Sequence, residues 1–115
     1  VSERRNADAL VLFGATGDLC YRKIYPALYH LVRRGRLNAP VIGVARGGWT
    51  HEKLLAHVAE SVRRFVKQPE DALVAQLGAL LRYVEGDYRD AATFENLRGA
   101  LGKARLPVHY LAIPP

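Results

Sequence analysis

Residues 9–20 read Ala9-Leu10-Val11-Leu12-Phe13-Gly14-Ala15-Thr16-Gly17-Asp18-Leu19-Cys20. The first five form an apolar run with polar residues before it and a glycine after it. Such a run predicts a strand buried on both faces, as in a parallel sheet. The two glycines mark a turn, and a helical stretch follows. This strand-turn-helix context makes a weak glycine pattern informative. Glycines permit a tight turn and let backbone amides approach a pyrophosphate without a side chain in the way. The free N–H groups and positive end of the following helix favour that anion. Thr16 adds a hydroxyl donor. The spacing is G-x-x-G rather than G-x-G-x-x-G, so the same residues also fit a turn that serves backbone geometry alone. The context favours dinucleotide binding.

Working outward, the helical stretch contains Pro26, which in a helix interior removes a hydrogen bond and clashes with the preceding turn. Proline is comfortable in a first turn. The expectation is a short turn at 18–23 and a main helix at 25–34, with Leu28, Leu31 and Val32 buried and Gly35 as its cap. Val41-Ile42-Gly43-Val44-Ala45 is a second buried strand, ending at Arg46-Gly47-Gly48. Thr50 can cap a helix in which Leu54, Leu55, Val58, Val62, Phe65 and Val66 recur at helical spacing. Pro69-Glu70-Asp71 suits the first turn of a third helix with Leu73, Val74, Leu77, Leu80 and Leu81 on its apolar face. Tyr83-Val84 reads as a third strand ending near Gly86-Asp87. Asp90 can cap a fourth helix carrying Phe94, Leu97 and Leu101, and residues 108–113 form a fourth strand. The order β-α-β-α-α-β-α-β predicts an α/β fold: a Rossmann-like, doubly wound parallel sheet of about four strands with helices on both faces.

The end of the second strand bears on which dinucleotide fits. NAD-preferring domains usually place Asp or Glu there to bind the adenine-ribose hydroxyls. This chain has Arg46, whose guanidinium can grip a 2′-phosphate that a carboxylate would repel. Charge-assisted bonds of this kind imply a preference for NADP of about 10–100-fold. The alternative for Arg46 is a solvated surface charge, but Gly47 and Gly48 clear space beside it. Asp87 and Tyr88 follow the third strand on the same carboxyl edge of the sheet, where ligands of such sheets bind. Tyr88 fits either adenine packing or a half-buried loop. Trp49 reads best as a packing anchor for the second helix. Pro114 leaves the fourth strand at the same edge, near the nicotinamide half or simply as a rigid exit.

Length and composition bound the remaining possibilities. One domain's worth of chain, 115 residues, is 50% hydrophobic and 24% charged, which is globular and argues against disorder. No apolar run approaches the roughly 20 residues a membrane helix needs. The start, VSERRNADALVLFG, passes from charged residues into a strand with no signal-peptide pattern. With no Met anywhere and an end at Pro114-Pro115, both ends read as cut and the domain as truncated. One cysteine excludes an internal disulfide framework and suits a reducing cytosol, hence a cytoplasmic location. Near a helix start Cys20 could have a lowered thiol pKa, but a buried, inert thiol is the favoured reading. The net charge of +6 favours anionic partners. The basic residues are scattered without interleaved aromatics, which argues against nucleic acid. His51 and His57 are six apart and do not share a helix face, so no metal pair is expected.

F-G-A-T-G-D-L followed by C-Y-R-K-I-Y-P-A-L-Y-H-L resembles the N-terminal signature of glucose-6-phosphate dehydrogenases: G-A-[ST]-G-D-L-A, a basic pair, then [LI]-[YF]-P. G-V-A-R at 43–46 and Y-L-A-I-P-P at 110–115 resemble later blocks of that family, in the right order. Pro26 is part of the signature. The resemblance implies oxidation of glucose 6-phosphate at C1 to 6-phosphogluconolactone with NADP as hydride acceptor, in the pentose phosphate pathway. By position, Gly14, Ala15, Thr16, Gly17, Asp18 and Leu19 would cradle the cofactor phosphates. Arg46 would hold the 2′-phosphate, Asp87 and Tyr88 would contact the cofactor, and Pro114 would approach the nicotinamide. Cys20 stands where the family usually has Ala, and Gly47 replaces a commoner polar residue. The family draws its catalytic groups from E-K-P-[FY]-G and D-H-Y-L-G-K blocks, neither of which is present, so no catalytic residue is assigned.

The expectation is thus a partial NADP-binding domain over residues 1–115. Its substrate and oligomerisation domain would be absent, the glucose 6-phosphate site would lie mostly in that missing part, and the parent would be a homo-oligomer. By itself the piece would turn over nothing. The alternative is a stand-alone dinucleotide-binding module without catalysis. An extended short-chain dehydrogenase would need a Y-x-x-x-K pair, and none occurs.

Overall fold

A computed structural model describes residues 9–86 and the backbone of the strand Pro107–Leu111. Four parallel strands form one sheet: β1 (Ala9–Phe13), β2 (Val41–Ala45), β3 (Leu81–Glu85) and β4 (Pro107–Leu111), in the order β3-β2-β1-β4. Among the described residues three α-helices accompany them: α1 (Tyr25–Arg33), α2 (His51–Phe65) and α3 (Asp71–Leu80). The chain builds the sheet outward from β1 to β3, then returns to β1's other edge for β4. That reversal creates a crevice at the carboxyl ends of β1 and β4, the switch point of a Rossmann-like α/β fold. The fourth helix expected from Asp90 lies outside the described residues.

Every residue of β2 is buried, as its unbroken apolar sequence requires. Alternate strand residues face opposite ways. Leu12, Val41 and Leu81 join Tyr25, Leu28, Val32, Leu54, Val58 and Leu77 of the helices in the main core. Val11, Phe13, Ile42, Val44 and Val84 form a second cluster on the opposite face. Thr50 caps α2 as expected, its Oγ1 accepting from the Lys53 amide at 3.1 Å. Helix α1 ends in a Schellman motif: Gly35 N–H donates to Val32 O and Arg36 N–H to Leu31 O, at 3.0 and 2.9 Å.

The structure departs from the sequence reading in three places. The turn at 18–23 is not separate from α1. Helical backbone runs from residue 18 to 33, widened into a π-helical segment, Cys20–Ile24, in which Tyr25 N–H reaches back to Cys20 O. The wider turn relieves the clash between the Pro26 ring and the carbonyl four residues before it. Leu81 is not on the apolar face of α3; it opens β3 directly after the helix and is buried in the sheet. Phe65, at helical spacing with the apolar residues of α2, does not share their burial: it is 40% exposed at the end of the helix, edge-on to the Tyr21 ring.

Candidate functional site

The carboxyl edge of the sheet begins with the loop after β1. Gly14 adopts φ of +80°, a left-handed conformation that side-chain-bearing residues rarely take. The turn lets the Gly14 and Ala15 amides both donate to Val44 O of β2, at 2.9 and 3.2 Å. Gly17 N–H closes the loop on Gly14 O at 3.0 Å. Helical backbone starts at Asp18, so the amides at this helix start face the loop rather than a preceding turn.

Arg46 follows β2 two residues past Val44 and is exposed at the same edge. Gly47 and Gly48 continue with φ of +107° and +68°. The loop and Arg46 are therefore neighbours because β1 and β2 pair in parallel, with Phe13 opposite Val44. Besides Glu85 at the end of β3, this edge carries the carboxylate of Asp18, which would oppose an anion. It is tied to Arg22 Nε at 2.9 Å, with both side chains exposed. A glycine loop, a threonine hydroxyl, a helix N-terminus and an arginine suit an anionic dinucleotide. Asp87, Tyr88 and Pro114 lie outside the described residues.

Buried contacts hold this edge from beneath. Tyr25 Oη donates to Ala15 O at 2.6 Å, and the ring is 0% exposed. The hydroxyl also meets the buried Cys20 thiol. Burial pushes the Cys20 pKa up to about 11 and raises that of Tyr25 as well. Cys20 is thus buried, as the sequence favoured. Trp49 packs edge-on against His57, ring centroids 4.9 Å apart, and His57 also touches Tyr21. That stack links the turn after β2 to the π-helical segment. Burial lowers the His57 pKa, against the opposing pull of the Glu60 carboxylate. At the end of β3, Tyr83 Oη donates to Glu85 Oε1 at 2.5 Å and lies 3.3 Å from Ala45 O.

Three residues that shape the site were not singled out from sequence: Gly43, Tyr25 and Ser61. A Cβ at Gly43 would sit 2.9 Å from Ala15 Cβ and 3.0 Å from Leu54 Cδ2. A glycine inside a strand is the one available signal of such close approach. The partners of Tyr25 and Ser61 depend on chain crossings with no local signature.

Tyr25→Phe is expected to destabilise the fold by about 1–2 kcal/mol, because the Ala15 carbonyl loses its buried donor. Urea denaturation read by circular dichroism measures it. Cys20 is expected to resist a thiol-specific disulfide reagent at pH 8 in the folded chain and to react at once in denaturant. Its folded pKa is raised, so the folded state holds the proton longer than the unfolded one. Stability therefore falls as pH climbs from about 9 toward about 11, and Cys20→Ala should flatten that slope.

Comparison with known proteins adds the family. Residues 11–115 match the family model described as "Glucose-6-phosphate dehydrogenase, NAD binding domain". Among curated proteins, glucose-6-phosphate 1-dehydrogenase 1 of Mycobacterium tuberculosis is 36% identical over 109 residues, covering 95% of this chain and 23% of the relative. The enzyme of Gluconobacter oxydans is 38% identical over 115 residues, covering 91% of this chain and 23% of its own length. A crystal structure of glucose-6-phosphate 1-dehydrogenase from Mycobacterium avium superposes with a TM-score of 0.88 at 36% identity, over 96% of this chain and 24% of that one. A second solved structure, described as glucose-6-phosphate dehydrogenase in complex with its substrate glucose-6-phosphate, gives 0.79 at 31% identity over 100% and 26%. The chain thus spans about a quarter of the length of these relatives. The family match runs through the glycine loop, β2 and Arg46, and the chain belongs to the glucose-6-phosphate dehydrogenase family as its dinucleotide-binding domain.

Proposed function

We propose that this chain is the NADP-binding part of an enzyme that oxidises glucose 6-phosphate to 6-phosphogluconolactone. The observation that carries the cofactor choice is Arg46 beside the glycine loop, at the strand end where an NAD-preferring domain would carry a carboxylate. When bound, NADP supplies the hydride acceptor for C1 of the sugar.

The chain's own residues bind and orient. The Gly14 and Ala15 amides are engaged by Val44 O, so those residues contribute shape. Gly17 N–H is likewise engaged by Gly14 O, so the amides for the pyrophosphate come from Thr16, Asp18 and Leu19, with the Thr16 hydroxyl beside them. Arg46 grips the 2′-phosphate through charge-assisted hydrogen bonds. Asp87 and Tyr88 take the adenine side and Pro114 the nicotinamide side. The general base and the groups that hold the sugar phosphate belong to a further domain of the parent enzyme, which also forms its oligomer interface. On this reading the parent is a cytoplasmic homo-oligomer of the pentose phosphate pathway, and residues 1–115 are its partial cofactor domain. A relative described with glucose 6-phosphate as its substrate supports the choice of sugar.

Calorimetric titration of the chain with NADP+ and NAD+ tests the cofactor assignment. NADP+ should bind more tightly, and equal affinities would defeat the role given to Arg46. Mixed with glucose 6-phosphate and NADP+, the chain should produce no NADPH; measurable turnover would contradict a catalytic base located elsewhere.

A further inference from the structure

We propose that Ser61 of α2 is a positioning residue for the dinucleotide site, acting through the backbone carbonyl of Tyr21; this rests on the cofactor role proposed above. Pro26 has no N–H to give. In the π register of Cys20–Ile24, Tyr25 N–H bonds to Cys20 O, five residues back. The next carbonyl in that register is Tyr21's, and its donor would be residue 26. The helix therefore leaves Tyr21 O without a backbone partner. Ser61 Oγ supplies the missing hydrogen from a helix 40 residues further along the chain.

A serine within a helix commonly bonds back to its own i−4 carbonyl. Ser61 reaches across to another helix instead, and it is the fully buried polar residue among those described, at 0% exposure. The position of the segment it holds gives the bond its consequence. An extra residue in one helical turn rotates everything before it by about 100° relative to α1. Asp18, Leu19 and the exposed Arg22–Lys23 pair all precede or lie within that turn. Their direction relative to the glycine loop follows from whether the wide turn persists. Tyr25, just past the turn, holds Ala15 O. With Ser61 it fixes both ends of the loop-to-helix passage.

The test is a double-mutant cycle in this chain: Ser61→Ala, Pro26→Ala and the pair, each checked for folding by far-UV circular dichroism and titrated with NADP+. Ser61→Ala should weaken NADP+ binding about tenfold, the effect of one lost hydrogen bond that leaves a buried acceptor. In the Pro26→Ala background residue 26 regains an N–H for the orphaned carbonyl, so adding Ser61→Ala should change affinity by less than about threefold. Ser61→Cys keeps the side-chain size with a weaker donor, and so guards against a misfolded alanine variant; it should weaken binding about threefold. A folded Ser61→Ala or Ser61→Cys variant that binds like the wild type overturns the proposal. So does an equal loss in both backgrounds, because the hydroxyl would then act through something other than the carbonyl that Pro26 orphans. A wild type that binds neither dinucleotide overturns the cofactor reading itself and the positioning role with it.

Discussion

Gly43→Val is expected to give the largest loss of stability of any single change at the site. The β2 backbone at Gly43 lies against the glycine loop and α2, where an added Cβ would come within 2.9 Å of Ala15 Cβ and 3.0 Å of Leu54 Cδ2. Leu54 can move the end of its side chain. Ala15 cannot, because its amide is bonded to Val44 O and its carbonyl to Tyr25 Oη. Overpacking of this kind costs about 1–3 kcal/mol for a single methyl, so Gly43→Ala should fall in that range and Gly43→Val beyond it. In a domain this small each kcal/mol lowers the melting temperature by about 4–8 °C. Differential scanning calorimetry reads the effect. The second substitution Ala15→Gly should restore much of the stability of Gly43→Ala by removing the atom it strikes. A Gly43→Ala variant as stable as the wild type would show that the close approach is not what keeps glycine there.

Arg46→Ala is expected to abolish the preference for NADP+ over NAD+. The loss of NADP+ affinity should be about 10–100-fold, from charge-assisted bonds to the 2′-phosphate, with NAD+ affinity nearly unchanged. Arg46 is exposed, so the effect on folding should stay within about 0.5 kcal/mol. Arg46→Asp should go further and favour NAD+, since a carboxylate repels the 2′-phosphate and accepts from the ribose hydroxyls. The wild-type preference should also shrink as salt is raised, because an exposed ion contact is screened. A preference that survives both substitutions would assign the 2′-phosphate to another group.

Much of this architecture was legible in the residues. The apolar runs at 9–13 and 41–45 are strands: each is five residues long, too short for a buried helix, and uninterrupted as a strand buried on both faces allows. Helix α2 follows from its spacing and from Thr50, whose hydroxyl caps it. The place of Arg46 at the carboxyl edge was legible because it depends only on where β2 ends. The departures have a common cause. The period of an apolar pattern marks a helix face but not where the element stops, so by spacing alone Leu81 counts with α3 and Phe65 with the apolar residues of α2. Pro26 was recognised as a disturbance, but the sequence does not say whether a helix answers it by breaking or by widening.

The sequence by itself determined the alternation of strands and helices, the glycine turn and the cation beside it. These depend on local periodicity, on φ preferences and on which residue ends a strand, all written within a few positions of one another. Only the tertiary structure decided how the turn is held. The carbonyl that Pro26 orphans is satisfied by Ser61, 40 residues away, and the loop carbonyl by Tyr25. Gly43 matters because parallel pairing brings β2 under Ala15. Such contacts join residues that share no local pattern, so they exist only once the helices pack on the sheet.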